Sequence, residues 1–153
     1  MDPESQNEDY NQAMKKLFHG NTMERATGAR TLGHLKEGRA VNLLIKALSK
    51  EQDSVVINRI IEALGEIKHP KATQPILDVL LRELEKPEDS QDKAMLFIII
   101  ESLMEIGDKR ALQHLGLLMD SCDADIRKRT EEAFECIDVN WRENIKKNEN
   151  RLL

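Results

Sequence analysis

Four histidines and two cysteines are the side chains of this chain best suited to ligating a metal or moving a proton near neutral pH: His19, His34, His69, His114, Cys122 and Cys136. A protein-bound zinc needs such groups at short, paired intervals, and a Cys-His nucleophile needs a base that the fold can bring to the thiol. Here every histidine stands alone, no CxxC occurs, and no histidine neighbours either cysteine at a ligand interval. Glycine-rich phosphate loops and nucleophile elbows are also missing. The residues therefore offer no catalytic, metal or cofactor site. The histidines read as solvated or capping groups, the cysteines as unreactive thiols, and the chain as a non-enzyme.

What remains is a surface, and its charge bounds the partners. The 153 residues carry 23 Lys and Arg against 28 Asp and Glu, a formal net charge of -5, so no overall basic field exists to gather nucleic-acid phosphates. Aromatic residues make up 3% and charged residues 33%, which favours helices over sheets. The opening MDPESQNEDY is acidic where a secretory signal is basic and then apolar, and no run approaches the ~18 apolar residues of a membrane span. The expectation is a cytoplasmic domain over residues 1–153 with neither a nucleic-acid nor a membrane partner.

The elements that must carry this surface follow from an internal repeat. The segments TLGHL, ALGEI, SLMEI and AFECI recur with anchors Leu32, Leu64, Leu103 and Phe134, spaced by 32, 39 and 31 residues. Each anchor follows a small residue (Thr31, Ala63, Ser102, Ala133) and precedes by three an apolar one. After the first three, Ala40, Ala72 and Ala111 open a second apolar-periodic stretch, so each unit is a helix pair. The pattern predicts first helices over 22–36, 53–68, 90–107 and 124–137, and second helices over 38–49, 70–86, 109–121 and 139–150. Asn21 with Glu24 and Asp89 with Asp92 are spaced as capping boxes, Asp53 and Asp123 can cap, and Pro70 suits a first turn. Residues 1–21 form a leading helix, with Ala13, Met14, Leu17 and Phe18 on one stripe, and 138–153 a closing one around Trp141; 22–137 are the repeats. Seven extra residues fall around RELEKPEDSQDK, an exposed insertion where Pro87 ends a helix.

The runs D-x-D-I-R-x-R-x-E-x-A-F (Asp123 to Phe134), E-A-L-G-E-I (Glu62 to Ile67) and I-G-D-K-R-A-L (Ile106 to Leu112) resemble HEAT-like repeats, closest to the phycobilisome-lyase subtype. The resemblance covers residues 22–137 and implies an all-α solenoid of about four helical hairpins with capping helices. It departs at Ile57 and Leu96, where the subtype favours the arginine present at Arg25 and Arg127, and at Met104 and Glu135, where the glycine of Gly33 and Gly65 is replaced. It also implies a non-catalytic scaffold that binds another protein, or alternatively an accessory subunit of a bilin lyase. HEAT-like deoxyhypusine hydroxylases carry His-Glu pairs, and none occurs here; HEAT-like alkylpurine glycosylases are basic and aromatic-rich, unlike this chain.

Three features could bind a partner. Cations gather after each first helix, at Lys36 and Arg39, Lys68 and Lys71, and Lys109 and Arg110, with an acidic rim opposite; dipole matching explains lysines at helix ends but not Arg39, Lys71, Lys109 and Arg110 at helix starts. Asn42, Gln74 and Gln113 occupy one offset on successive second helices, followed by Lys46, Asp78 and Arg82. In HEAT-like stacks these helices line the concave surface, so the resemblance implies a polar groove. Finally, AMLFIIIESLMEI (Ala94 to Ile106) is apolar nearly all round, and Ile98 takes the outward position held by Arg59 and Arg129, a candidate contact for a partner or for self-association.

Overall fold

The computed structural model describes residues 2–151, with side chains through residue 147. Among them are nine α-helices and no strand: α1 Pro3–His19, α2 Thr22–Leu35, α3 Val41–Lys50, α4 Ser54–Ile67, α5 Thr73–Leu84, α6 Lys93–Ile106, α7 Leu112–Leu115, α8 Ala124–Ile137 and α9 Trp141–Arg151. Helices α1, α2, α4, α6 and α8 lie side by side as one layer, and α3, α5 and α7 form the second. Met1 and the last two residues of the closing segment 138–153 lie outside the described residues.

The repeat anchors hold the stack together. Leu32, Leu64 and Leu103 are wholly buried, and Phe134 nearly so, in one continuous core that runs from Tyr10 to Ile137. Each such side chain contributes ~1.5–3 kcal/mol of transfer free energy. The small residues beside the anchors set the spacing of the first layer. A Cβ on Gly33 would lie 2.7 Å from the Cα of Ala63, and one on Gly65 2.9 Å from the Cα of Ser102. These helices meet backbone to backbone. Where Met104 replaces the glycine, the α6–α8 contact is looser.

Local chemistry fixes the ends. Asn21 and Glu24 form the expected capping box, each bond 2.9 Å, while Asp53 and Asp123 accept from the first free N–H groups of α4 and α8. At the C-termini, Lys36 (φ 49°), Lys68 (φ 60°) and Gly107 (φ 72°) adopt the left-handed conformation that closes a helix. Each second helix is then entered through a 3-10 turn whose last residue is Ala40, Ala72 or Ala111, all wholly buried.

Three expectations are corrected, and the exposed insertion is found where it was expected. The second helix of the third unit does not run over 109–121: after α7 the chain tightens into a 3-10 segment, Gly116–Asp120, which stacks Leu115 and Leu118 three apart into the core. Asp89 takes no part in a capping box; Asp92 caps α6 alone, accepting from Met95 N–H, so the helix starts at Lys93. The insertion is exposed from Glu85 to Ser90, yet it is tied down, because buried Glu83 accepts from the Asp92 N–H at 2.6 Å and from Lys86 Nζ at 2.8 Å. Ile98 does not stand free: it is half-buried and packs against the core, since its neighbours Leu96, Ile99 and Ile100 draw α6 deep between α4 and α8. Among the described residues, the large apolar side chains that are exposed are Met23, Val55, Leu117, Val139 and Ile145.

At the far end Trp141 closes the core. Its ring meets Phe134 edge to face at 5.0 Å, and Arg142 stacks over it at 4.7 Å. No helix among the described residues is long and apolar enough to cross a membrane.

Candidate protein-binding surface

The outer face of the first layer carries hydrogen bonds and ion pairs of its own. His34 Nδ1 meets Glu66 at 3.1 Å from α2 to α4, Arg129 reaches Glu101 at 2.7 Å from α8 to α6, and Arg59 and Arg129 also hold Glu62 and Glu132 within their own helices. These side chains answer one another across the stack.

The loops that open the first helices are likewise built from satisfied groups. Arg25 donates to both oxygens of Glu51 and to the Gly20 carbonyl, and its counterpart Arg127 donates to the Ser121 carbonyl. Burial acts to raise the Glu51 carboxyl, but the Arg25 hydrogen bond and the N–H groups of Asp53 and Gln52 outweigh it and hold the group below its ordinary range. The insertion and the last such loop enclose a cleft of about 590 Å³. Two of its carboxylates are engaged: Glu88 accepts from the Cys122 N–H and Ser121 Oγ, and Asp123 caps α8 while pairing with Lys93 at 2.8 Å. The Glu88 carboxylate also pushes the exposed Cys122 thiol above its usual range, away from thiolate chemistry. Cys136 is exposed as well.

At the opposite rim the structure divides the predicted cations into two kinds. Arg39 is exposed but engaged: its guanidinium stacks over the Tyr10 ring at 3.9 Å, donates to Asn7 Oδ1 at 3.1 Å and pairs with Glu37. Arg110, though exposed, grips Asp108 and donates to the Pro70 carbonyl of the preceding corner at 3.3 Å. Asp108 in turn accepts from Thr73 Oγ1 at 2.9 Å. The Arg110 hydrogen bonds, helped by Thr73, draw the Asp108 carboxyl down to about 2 despite its burial. Both arginines fasten one unit to the next, which is why they stand at helix starts where dipole matching does not favour them. Lys36, Lys68, Lys71 and Lys109 are exposed and form no ion pair among the described residues, although Lys109 lies close enough to help lower the Asp138 carboxyl.

The second layer presents the remaining candidates together. Asn42, Gln74 and Gln113 are all exposed at the same offset of α3, α5 and α7, and Gln74 Nε2 donates to Asp78 at 2.9 Å, one turn on. Below the first two lies a groove of about 470 Å³ between α3 and α5, floored by Ile45, Leu48, Pro75 and Leu81, with Ser49, Asp78 and Arg82 at its lip. Sequence reasoning missed this floor. The signal was there: Ile45 and Leu81 fall one position off the buried stripes Val41-Leu44-Leu48 and Ile76-Leu77-Leu80. The groove exists because no glycine brings α3 and α5 into backbone contact; Pro75 and larger side chains hold them apart, whereas Gly33 and Gly65 close the first layer. Ile98, on the first layer, is remote from this arrangement in kind: it is a half-buried core neighbour.

The architecture has a counterpart among known families. A family model described as HEAT repeats matches residues 11–90, from α1 through the insertion. The chain belongs to the HEAT repeat family. No curated protein matches it. The matched span of the HEAT repeats contains both walls of the groove and the first two basic corners, and HEAT repeats commonly mediate protein–protein interaction.

Proposed function

We propose that this HEAT repeat chain is a non-catalytic scaffold that binds another protein through its second-helix face. The observation that carries the reading is the asymmetry between the two faces. The first layer ties neighbouring helices together through His34–Glu66 and Arg129–Glu101, while the second layer has an open groove between α3 and α5 beneath the exposed amides Asn42 and Gln74. A pre-organised stack lowers the ordering cost of such an interaction, and amide side chains at the repeat spacing suit an extended backbone.

The test is affinity capture of the tagged chain from its native lysate, with a Lys71→Glu/Gln74→Ala variant and a first-layer control, Lys128→Glu. A stoichiometric protein retained by the wild type and the control, and lost with the second-layer variant, supports the scaffold on this face. Loss with the control alone would overturn the choice of face. The phycobilisome-lyase resemblance of the repeat residues supports a second reading, an accessory subunit of a bilin lyase. Its mark would be a visible absorbance band or a lyase subunit in the captured fraction.

A further inference from the structure

The corners that lead from each first helix to its second, residues 36–39, 68–71 and 108–110, carry Lys36, Lys68, Lys71 and Lys109 beside Arg39 and Arg110. The carboxylates of this edge are already engaged: Glu37 and Asp108 hold the two arginines, Glu66 meets His34, and Asp138 accepts from Asn144 Nδ2 and the Asn140 N–H. Exposed Glu105, near the end of α6, is the exception, with no ion pair among the described residues. The four lysines are exposed and equally unpaired there. Each also stands where local chemistry is against it. Lys36 and Lys68 take the left-handed backbone that Gly107 fills without strain at the third corner. The dipole favours a cation in the last turn of α2 and α4, but it does not require one at the left-handed residue. Lys71 and Lys109 lie in the 3-10 turns that open the second helices, where the free N–H groups disfavour a cation. Four cations placed against local preference, in a chain of net charge -5 and without an internal partner, point to one outside the chain.

Resting on the scaffold reading, we infer that this edge of the second-helix face holds an extended acidic segment of a partner protein, laid across the three corners with its carboxylates on Lys36, Lys68, Lys71 and Lys109. Packed helices lie about 8–10 Å apart and an extended chain advances about 3.3 Å per residue, so a carboxylate at every third residue meets successive corners. Single-stranded nucleic acid binds where aromatic rings stack its bases, and this edge offers none: the Tyr10 ring is covered by Arg39, and Trp141 packs on Phe134. An anionic membrane would meet exposed Glu4 and Glu8, because the Arg39–Asn7 hydrogen bond sets the start of α1 beside the first corner. A single strand along the corners avoids both difficulties. Exposed lysines give encounter rate and orientation more than residence time, so the contact is weak and sensitive to salt.

The experiment uses the full chain and a fluorescein-labelled thirteen-residue peptide with glutamate at every third position among glycine and serine, beside a twin with lysine for glutamate and a twelve-nucleotide single-stranded RNA. Fluorescence anisotropy at low salt is expected to give saturable binding of the acidic peptide with a Kd of about 100 μM, weakening as salt rises, and no saturation by the twin. Lys71→Glu/Lys109→Glu, where an acid suits the local dipole and the fold is not at risk, is expected to weaken binding about tenfold. Lys50→Glu/Lys128→Glu changes the net charge by the same amount at exposed sites off this edge and should leave binding within about twofold. Lys68→Gly is expected to resist urea better than the wild type yet bind about threefold more weakly, a split that a purely structural lysine would not produce. Equal binding of the twin, equal loss in Lys50→Glu/Lys128→Glu, undiminished binding by Lys68→Gly, or no saturation at millimolar peptide each overturns the assignment of this edge. RNA that bound more tightly than the peptide would overturn the choice of an acidic protein segment. A lysate partner captured in spite of such a result would keep the scaffold reading standing, and failure of both experiments would remove both.

Discussion

Two lysines occupy backbone positions that ordinarily belong to glycine. Lys36 and Lys68 close α2 and α4 with φ of 49° and 60°, and Gly107 closes α6 at the same place. A side chain in the left-handed region crowds its own carbonyl, at a cost of about 1–2 kcal/mol relative to the right-handed form. Lys68→Gly is therefore expected to stabilise the fold by about 0.5–1 kcal/mol in urea unfolding, after the entropy of glycine in the unfolded chain is set against the relief. A destabilised variant would mean that the lysine stem contributes packing that outweighs the strain. Asp108 offers a second test at this scale. Its carboxyl titrates near 2 in the fold, drawn down by Arg110, against about 3.9 in an unfolded chain. A folded value below the unfolded one means that the charge stabilises the protein fully above about pH 4, and that the contribution fades as pH falls toward 2. Solvent at the exposed Arg110 screens the pair, so the effect is on the order of 1 kcal/mol. Wild type and Asp108→Asn should differ by that amount at pH 7 and converge near pH 2; a gap independent of pH would assign the difference to lost hydrogen bonds.

At the scale of the elements, glycine has two opposite meanings in this chain, and space distinguishes them. Gly33 faces the Ala63 backbone at a distance that admits no methyl group, so Gly33→Ala must push α2 and α4 apart and is expected to cost about 1–3 kcal/mol. Gly116 meets only the rim of Phe134, 3.9 Å from an added Cβ, and its backbone is already right-handed. Gly116→Ala should stabilise by up to about 1 kcal/mol and raise the helical circular-dichroism signal, because alanine favours continuing α7. A fall in stability would show that the 3-10 form, with Leu115 above Leu118, is the arrangement the core requires. This element also shows where the sequence was silent. The apolar positions Leu112, Leu115 and Leu118 fit a 3-10 face, yet Leu115 and Leu118 fit an α-helical stripe equally, so periodicity alone does not separate the two. The start of α6 was ambiguous for a different reason: Asp89 and Asp92 are both good caps, and the choice is made by Glu83, a buried carboxylate from the preceding helix that holds the Asp92 N–H.

Across the whole molecule, what recurs in the sequence is legible and what is contacted only once is not. Leu32, Leu64 and Leu103 repeat as anchors, and their recurrence is enough to locate the helix pairs. The roles of Arg39 and Arg110 are set by Tyr10, Asn7 and Pro70, each about 30–40 residues away, and no spacing rule reports them. The same distinction holds for the surface. The amide row is visible in its offset, whereas the groove beneath it depends on the absence of glycine at the α3–α5 contact.

A stack of this kind transmits stability from neighbour to neighbour, so the effect of a core deletion depends on its place along the axis. Leu64 is wholly buried in α4, which packs on α2 on one side and α6 on the other. Leu64→Ala removes packing in both directions and is expected to cost about 3–5 kcal/mol, lowering hydrogen-exchange protection from α2 to α6 together. Trp141 serves only the last interface, where it is half-buried against Phe134. Trp141→Ala should therefore open α9 and the end of α8 with little change in α2 or α4. If both variants instead lowered protection evenly along the chain, the stack would be one indivisible cooperative unit, and the neighbour-by-neighbour account of its stability would fail.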